Sequence, residues 1–342
     1  MIRVPTAGPS DTSGLERLRS SGVDLNRIRA VVGKTEGNGL VNDFTRELAA
    51  RAWEQALSER VLTIMSGGTE GVLSPHVTLL ADADSAAEDE PGALALGMAT
   101  SEVIAPTALG RRGQVDAVAE AVRRACADAA VQTDQLALVL VKCPLLEGSE
   151  IAAAHMAGQR LVSDDAYESM GHSRAASALG VALAAGELDD GAVERALAGD
   201  TRLFSAVAST SAGREVKRCH VVVLGPSPAA RGRLRATTTV MRDAIDAEPV
   251  ARALEVIRAS GGRVVQLFAK AEADPSGALR GCRHTMLSDS DLHATRHARA
   301  AVGGLLAGLT NDPMIYVSGG AEHQGPPGGG PVTLVWTQTG AR

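Results

Sequence analysis

The chain has 342 residues, 45% of them hydrophobic and 22% charged, with a net charge of −6. That balance fits a globular protein of two or three units and offers nucleic acid no basic stripe. Aromatics make up only 2%, so the core must be built from Val, Leu and Ala, with close backbone approaches at glycines. Met1–Ser10 lacks the apolar stretch of a secretory signal. No apolar run approaches the roughly 20 residues that span a bilayer, so a cytoplasmic address and no membrane partner are expected. Cys126, Cys143, Cys219 and Cys282 form no C-x-x-C pair and read as inert thiols.

In chain order, Arg27–Lys34 (RIRAVVGK) reads as a buried strand ending in lysine. Val41–Leu57 follows as a proline-free helical stretch carrying Arg46. Arg60–Ser66 (RVLTIMS) is a strand ending in serine and continuing Gly67-Gly68-Thr69-Glu70. The acidic Asp82–Glu90 reads as a solvated loop, and Pro106 and Gly110–Gly113 punctuate the chain. Leu136–Lys142 (LALVLVK) is a second strand ending in lysine. Ser173–Ala185 is a helix with Arg174 at its start, and Ser211-Ala212-Gly213-Arg214-Glu215 is a second serine motif. Gly262–Lys270 (GRVVQLFAK), the helical Asp291–Leu306 with Arg299, and Met314–Ser318 before Gly319-Gly320-Ala321-Glu322 complete a third round. Gly325–Pro331 (GPPGGGP) is a loop, free or tied down by a ligand.

The pattern S-[GA]-G-x-E thus occurs three times, each time after a strand ending in lysine and a helix bearing arginine. Such periodicity predicts an α/β protein of three diverged repeats, 1–105, 106–250 and 251–342, around a pseudo-threefold axis. The strands should form a barrel-like core with the helices outside.

A serine hydroxyl attacks only when a base takes its proton, and lysine is a base only when neutral. Burial and nearby positive charge both lower a lysine's pKa. Glycine or alanine after each serine leaves its backbone N–H open to a carbonyl oxygen or an oxyanion. With donors outnumbering acidic acceptors, the expected ligand is small, rich in carbonyls and partly anionic: a cyclic imide or ureide, best of all a threefold triazine trione. Gly33-Lys34-Thr35 is not a phosphate loop, because Ile28 stands where its first glycine is needed. His293 and His297 share a helix face but have no third ligand, so a surface pair is expected there instead of zinc.

Gly33–Arg46 (GKTEGNGLVNDFTR), Ser66–Gly71 (SGGTEG), Ser318–Gly330 (SGGAEHQGPPGGG) and the opening Arg3-Val4-Pro5…Ser13-Gly14-Leu15 resemble the cyanuric acid hydrolase and barbiturase family from end to end. The resemblance implies a homo-oligomeric, tetrameric enzyme that opens one ring amide of a small cyclic imide. It implies substrate contacts from Arg46, Ser66 and Gly67, from Arg174, Ser211 and Ala212, and from Arg299, Ser318 and Gly319. Lys34, Lys142 and Lys270 would stand beside the serines, with Ser211 and Lys142 as the reacting pair. A structural Mg²⁺ or Ca²⁺ would be held by Glu272 and the main chain around Ala321, Gln324, Gly325, Pro326 and Gly329; no organic cofactor is implied. The leading expectation is opening of cyanuric acid to carboxybiuret, then biuret and CO₂. Barbituric acid opening to ureidomalonate, or non-catalytic binding of a cyclic imide, are the alternatives.

Overall fold

The computed structural model describes residues 1–57, 60–83 and 91–338; most of the acidic 82–90 stretch lies outside them. The chain runs β1 (Ile2–Pro5), α1 (Gly14–Ser20), β2 (Ile28–Thr35), α2 (Phe44–Ala56), β3 (Leu62–Gly67) and β4 (His76–Ala81). Then come β5 (Leu94–Val103), α3 (Arg112–Ala129), β6 (Leu138–Cys143), α4 (Gly148–Met156), α5 (Ala166–Ala185), α6 (Asp190–Leu197), β7 (Ala208–Ala212) and β8 (Arg218–Pro226). The last stretch holds β9 (Leu234–Met241), α7 (Glu248–Ala259), β10 (Gly262–Ala271), a short hairpin of β11 (Ala278–Leu279) and β12 (Cys282–Arg283), α8 (Ala294–Thr310), β13 (Tyr316–Gly319) and β14 (Gly330–Gln338).

These strands make three four-stranded sheets of one connectivity: β1-β4-β2-β3, β5-β8-β6-β7 and β9-β14-β10-β13. Each lysine strand pairs parallel with its serine strand and antiparallel with the last strand of its sheet. The sheets remain separate and mixed, so the expected barrel does not close. Sheet membership also places β5 with the second sheet and β9 with the third, ahead of the boundaries expected at 105 and 250.

The valine-rich runs are continuous because both faces of each sheet are buried. Side chains alternate along a strand. Ala30 and Val32, Leu138 and Leu140, and Phe268 join one cluster shared by all three sheets. Val31, Val139 and Val141, and Leu267 and Ala269 face the other way, into three clusters under the helices. Continuing the alternation puts Lys34, Lys142 and Lys270 on the shared face, at the end of the common core.

The arginine helices start at side-chain caps: Asp43 on α2, Asp165 on α5 and His293 on α8. Such caps satisfy N–H groups that a helix start otherwise leaves bare. Because α5 begins at Ala166, Arg174 lies in the helix interior and not at its start as expected. His293 packs edge-on against Tyr167 at 4.9 Å, and His297 pairs with Asp289, in keeping with a structural pair.

A buried polar link ties the first sheet to the third. Gln266 Nε2 donates to Thr78 Oγ1 at 2.8 Å and lies 3.1 Å from His76 Nε2, while His76 Nδ1 is 2.8 Å from Ser74 O. The amide donor requires an unprotonated Nε2, so the network assigns a neutral imidazole with its proton on Nδ1. Burial holds the His76 pKa down, to about 4 from 6.5. The unfolded chain therefore binds a proton that the folded chain refuses between these values. The stability contributed by neutral His76 is complete above pH 6.5 and is lost as pH falls towards 4. Chemical denaturation of wild type and His76→Gln from pH 7 to 4 should show wild type losing a few kcal/mol more than the variant across that window, at 1.36 kcal/mol per pKa unit; parallel curves would contradict this.

Candidate active site

Parallel pairing sets each lysine directly beside a serine: Lys34 opposite Ser66, Lys142 opposite Ser211 and Lys270 opposite Ser318. All six are buried, as are Arg46, Arg174 and Arg299. The three serines, the three arginines, Gly67, Ala212 and Gly319 line a single chamber with Gly39 and Met170. The structure thus brings together every substrate contact expected from the sequence. The chamber holds about 20 Å³, room for about one water. A cavity of about 520 Å³ lies next to it, walled by Tyr167, His172, Glu272, Glu322 and His323 among others; Arg174 lines both.

The three lysines do not behave alike. Lys34 Nζ donates to Ser66 Oγ and to Gly67 O, both at 3.1 Å. Lys270 Nζ does the same with Ser318 Oγ and Gly319 O at 3.1 Å, and also reaches Thr210 O at 2.8 Å. Lys142 Nζ instead donates to Met65 O at 2.7 Å and lies 2.7 Å from Glu215 Oε1. The contact with Glu215 is a buried ion pair, and Ser211 Oγ makes no hydrogen bond with Lys142; it is buried beside the Tyr316 hydroxyl. Ser66 Oγ and Ser318 Oγ approach to 3.5 Å, and the buried Tyr316 ring lies under Lys34.

Burial lowers the pKa of all three lysines, and a nearby arginine adds to the effect in each case. Lys34 is depressed well below the usual lysine range by burial and Arg299. Lys270 is brought to about 7 by burial and Arg174. Lys142 is lowered by burial, with Glu215 opposing and Arg46 assisting. For Lys270 the neutral form is thereby within reach at ordinary pH.

The motif glutamates correct the expectation that donors face few acids. Glu70 accepts from Arg299 Nε at 2.8 Å and Nη2 at 2.6 Å, and Glu322 accepts from Arg174 in the same fork. Arg46 donates instead to the carbonyls of Gly39, Leu40 and Ala212. The repeated glutamate was visible in the sequence as the last letter of the pattern, but a pattern does not say which helix its carboxylate meets. The backbone donors narrow to the residue after each serine, as expected. The amides of Gly68, Gly213 and Gly320 donate to Thr35, Cys143 and Ala271 across the sheets, which leaves Gly67, Ala212 and Gly319 as the motif amides next to the chamber.

The expected metal residues lie in the 321–329 loop except Glu272, which follows β10 and meets that loop at Gly328. Glu272 is half-buried, takes Gly328 N at 3.3 Å, and has no ion pair among the described residues. Burial and the neighbouring Glu322 raise its pKa to about 7. The Ala321 and Pro326 carbonyls accept turn hydrogen bonds from Gln324 and Gly329 and keep a second lone pair each. The Gln324 side chain is committed to Thr210 N at 2.6 Å, so only its main chain is available. These are hard oxygen donors that suit Mg²⁺ or Ca²⁺. No group of three His, Cys, Asp or Glu that could hold a metal gathers among the described residues, here or elsewhere.

Removing one member of a buried, forked ion pair strands the other. Glu70→Ala, which leaves the Arg299 guanidinium unpaired, should lower unfolding free energy by about 3–5 kcal/mol. Glu70→Ala/Arg299→Met should recover much of the loss in urea titrations; equal losses would mean that the pair does not act as a unit.

Residues 1–337 match the profile of the amidohydrolase ring-opening proteins. The chain is 53% identical over 336 residues to a cyanuric acid amidohydrolase of Pseudonocardia dioxanivorans, covering 98% of this chain and 97% of that one. It is 51% identical to another from Rhodococcus sp, over 98% and 95% of the two chains. Among solved structures, a cyanuric acid hydrolase superposes with a TM-score of 0.93 at 46% identity, over 98% of both chains. One from A. caulinodans gives 0.93 at 44% identity, over 99% and 98%. In sequence along nearly its whole length, and in fold, the chain belongs to the ring-opening amidohydrolase family.

Proposed function

We propose that the protein hydrolyses one ring amide of cyanuric acid to carboxybiuret, which loses CO₂ to give biuret. The observation that carries this reading is the set of three in-register serine–lysine pairs around one chamber walled by three arginines. A ring with three equivalent carbonyls matches three like sets of donors. The relatives named for this activity support the same substrate over barbituric acid.

In the proposed mechanism, Ser211 is the nucleophile and Lys142 its base. Support comes from the hydroxyls: Ser66 and Ser318 are held by their lysines, whereas Ser211 Oγ is buried and is not held by Lys142. Neutral Lys142 takes the Ser211 proton as Oγ attacks a ring carbonyl. The amide of Ala212 is the nearest motif donor for the oxyanion. Ser66 and Ser318, with Gly67 and Gly319, hold the other two carbonyls. Arg46, Arg174 and Arg299 orient the ring and polarise its carbonyls. Lys34 and Lys270 fix their serines. Ring entry requires the chamber walls to part, and Arg174, which faces both the chamber and the larger cavity, is the wall residue between them.

We further read the three sheets as diverged copies around a pseudo-threefold axis, with repeat units near 1–105, 106–250 and 251–342. The identical strand order supports this, and the pairing of β5 and β9 argues for moving each boundary ahead of those strands. Glu272 and the main chain of Ala321, Gln324, Gly325, Pro326 and Gly329 would hold a divalent cation whose charge neutralises Glu272 and braces the loop. A homotetramer in the cytoplasm is the remaining part of the reading; among the described residues no helix is long and apolar enough to cross a membrane.

Purified protein should consume cyanuric acid and leave barbituric acid unchanged, followed by loss of each ring's ultraviolet absorbance. Consumption of barbituric acid alone would change the substrate, and inertness towards both, with Mg²⁺ supplied, would favour a binding protein. Ser211→Ala should cut kcat by at least about 1,000-fold while ligand affinity stays within a few-fold. Chelation should lower Tm by several degrees in wild type, with recovery on adding Mg²⁺ or Ca²⁺, and should leave Glu272→Gln unmoved; a wild-type Tm indifferent to chelator and cation would remove the metal from the account.

A further inference from the structure

The second motif departs from the other two at one carboxylate. Glu70 and Glu322 each grip a helix arginine next to another sheet, Arg299 and Arg174. The same cyclic order would give Glu215 to Arg46. Arg46 is occupied by backbone carbonyls instead, and its Nε donates no hydrogen bond. Glu215 turns inward to Lys142, with side-chain exposures of only 7% and 0% for the two. The middle glycine of each motif records the exchange. A Cβ on Gly68 would meet the Arg299 guanidinium at 2.4 Å, and one on Gly320 the Arg174 guanidinium at 2.6 Å; on Gly213 it would meet Glu215 Oε2 at 2.1 Å. A carboxylate therefore sits where the other motifs hold a guanidinium, and it is the second lysine alone that makes no hydrogen bond to its serine.

We propose that Glu215 is the proton partner of Lys142, holding the ammonium away from Ser211 at rest and taking one proton from it when the base is needed. This rests on the reading of Ser211 and Lys142 as the reacting pair. The proton passes from Lys142 Nζ to Glu215 Oε1, leaving an amine and a carboxylic acid. The amine takes the Ser211 proton as Oγ bonds to the ring carbonyl carbon, and returns it to the ring nitrogen as the C–N bond breaks. Water then attacks the acyl-serine, giving its proton to Lys142, which passes it to the departing Ser211 oxygen. Glu215 hands its proton back when product leaves, so water is the sole co-reactant. Glu215 acts through Lys142 and is a positioning residue.

The other charged or titratable groups facing this pair are Arg46 on α2, Cys143 beside Lys142 on β6, and His220 on β8 with Glu54 behind it. Each partner favours the other's charged form, so exchange inside the pair is uphill at rest and is drawn on only as Oγ attacks, but it needs no proton loss to solvent. In Glu215→Gln the ammonium must lose its proton to water, so activity is lost on the acid side.

The test is the ratio of kcat for Glu215→Gln to wild type from pH 5.5 to 9, in which any ionisation of the substrate cancels. The expected ratio is about 0.01 at the acid end and climbs tenfold per pH unit towards a plateau, with KM within about threefold of wild type. Glu215→Asp, which keeps the acid, should give a flat ratio. Gly213→Ala, which displaces the carboxylate without removing it, should reproduce the acid loss and carries the test if Glu215→Gln does not fold. A pH-independent ratio in both Glu215→Gln and Gly213→Ala overturns the proposal. Ser211→Ala is measured alongside. Turnover surviving in it sinks the dyad and Glu215's role together, whereas an inactive Ser211→Ala beside pH-independent ratios in both Glu215→Gln and Gly213→Ala sinks Glu215's role alone.

Discussion

Burying an ammonium group costs several kcal/mol unless its surroundings replace the lost water, and this fold buries three at one end of a shared core. The parallel pairing of each lysine strand with its serine strand makes that tolerable. It delivers a hydroxyl and a carbonyl to Lys34 and to Lys270, and strand-to-strand neighbours supply Met65 O to Lys142 and Thr210 O to Lys270. These carbonyls accept without adding a full negative charge, so they solvate each lysine while leaving its pKa depressed. The sheets cannot slip by one residue without turning every lysine into the helix-facing layer. Core packing and site geometry are therefore one constraint.

The arginines meet the same problem differently. A guanidinium stays charged wherever it is put, so it needs an anion or a full set of acceptors. Arg174 and Arg299 take forked glutamates. Arg46 takes three carbonyls, with Asp43 4.0 Å away. Releasing Glu215 from arginine duty is what frees it to meet a lysine, and the change is local: it leaves the strand order, the register and the chamber intact. Three sheets of one strand order can thus line one chamber with like residues and still treat one side differently.

Much of this was legible in the sequence because it rests on period-two patterning. Strands 27–34, 136–142 and 262–270 were recognisable as apolar runs with a lysine at the end, and the structure places them within a residue or two. The arginine helices were equally plain, apart from the first two turns of α5, where Tyr167, Glu168 and His172 give no clear apolar stripe. The missing barrel and the true membership of β5 and β9 were not legible. β5 and β9 are only partly buried, carry no motif, and join their sheets through long-range antiparallel pairing that no local signal encodes. The Glu215–Lys142 contact was hidden for the same reason: the letter was in the pattern, and its partner is fixed only by packing.

The glycines of the motifs then take on a more specific meaning than flexibility. Gly68 and Gly320 adopt positive φ, at 100° and 73°, and each lies beneath a guanidinium that any side chain would displace. Gly213 is not left-handed, so its backbone would accept alanine; only the Glu215 carboxylate above it requires glycine. The same letter is kept for backbone conformation and arginine space in two motifs and for carboxylate space in the third. A side chain at Gly68 or Gly320 would strain the main chain and expel an arginine from its glutamate, whereas one at Gly213 moves a single carboxylate. The second motif is accordingly the one place where the chamber's proton chemistry can be separated from its architecture.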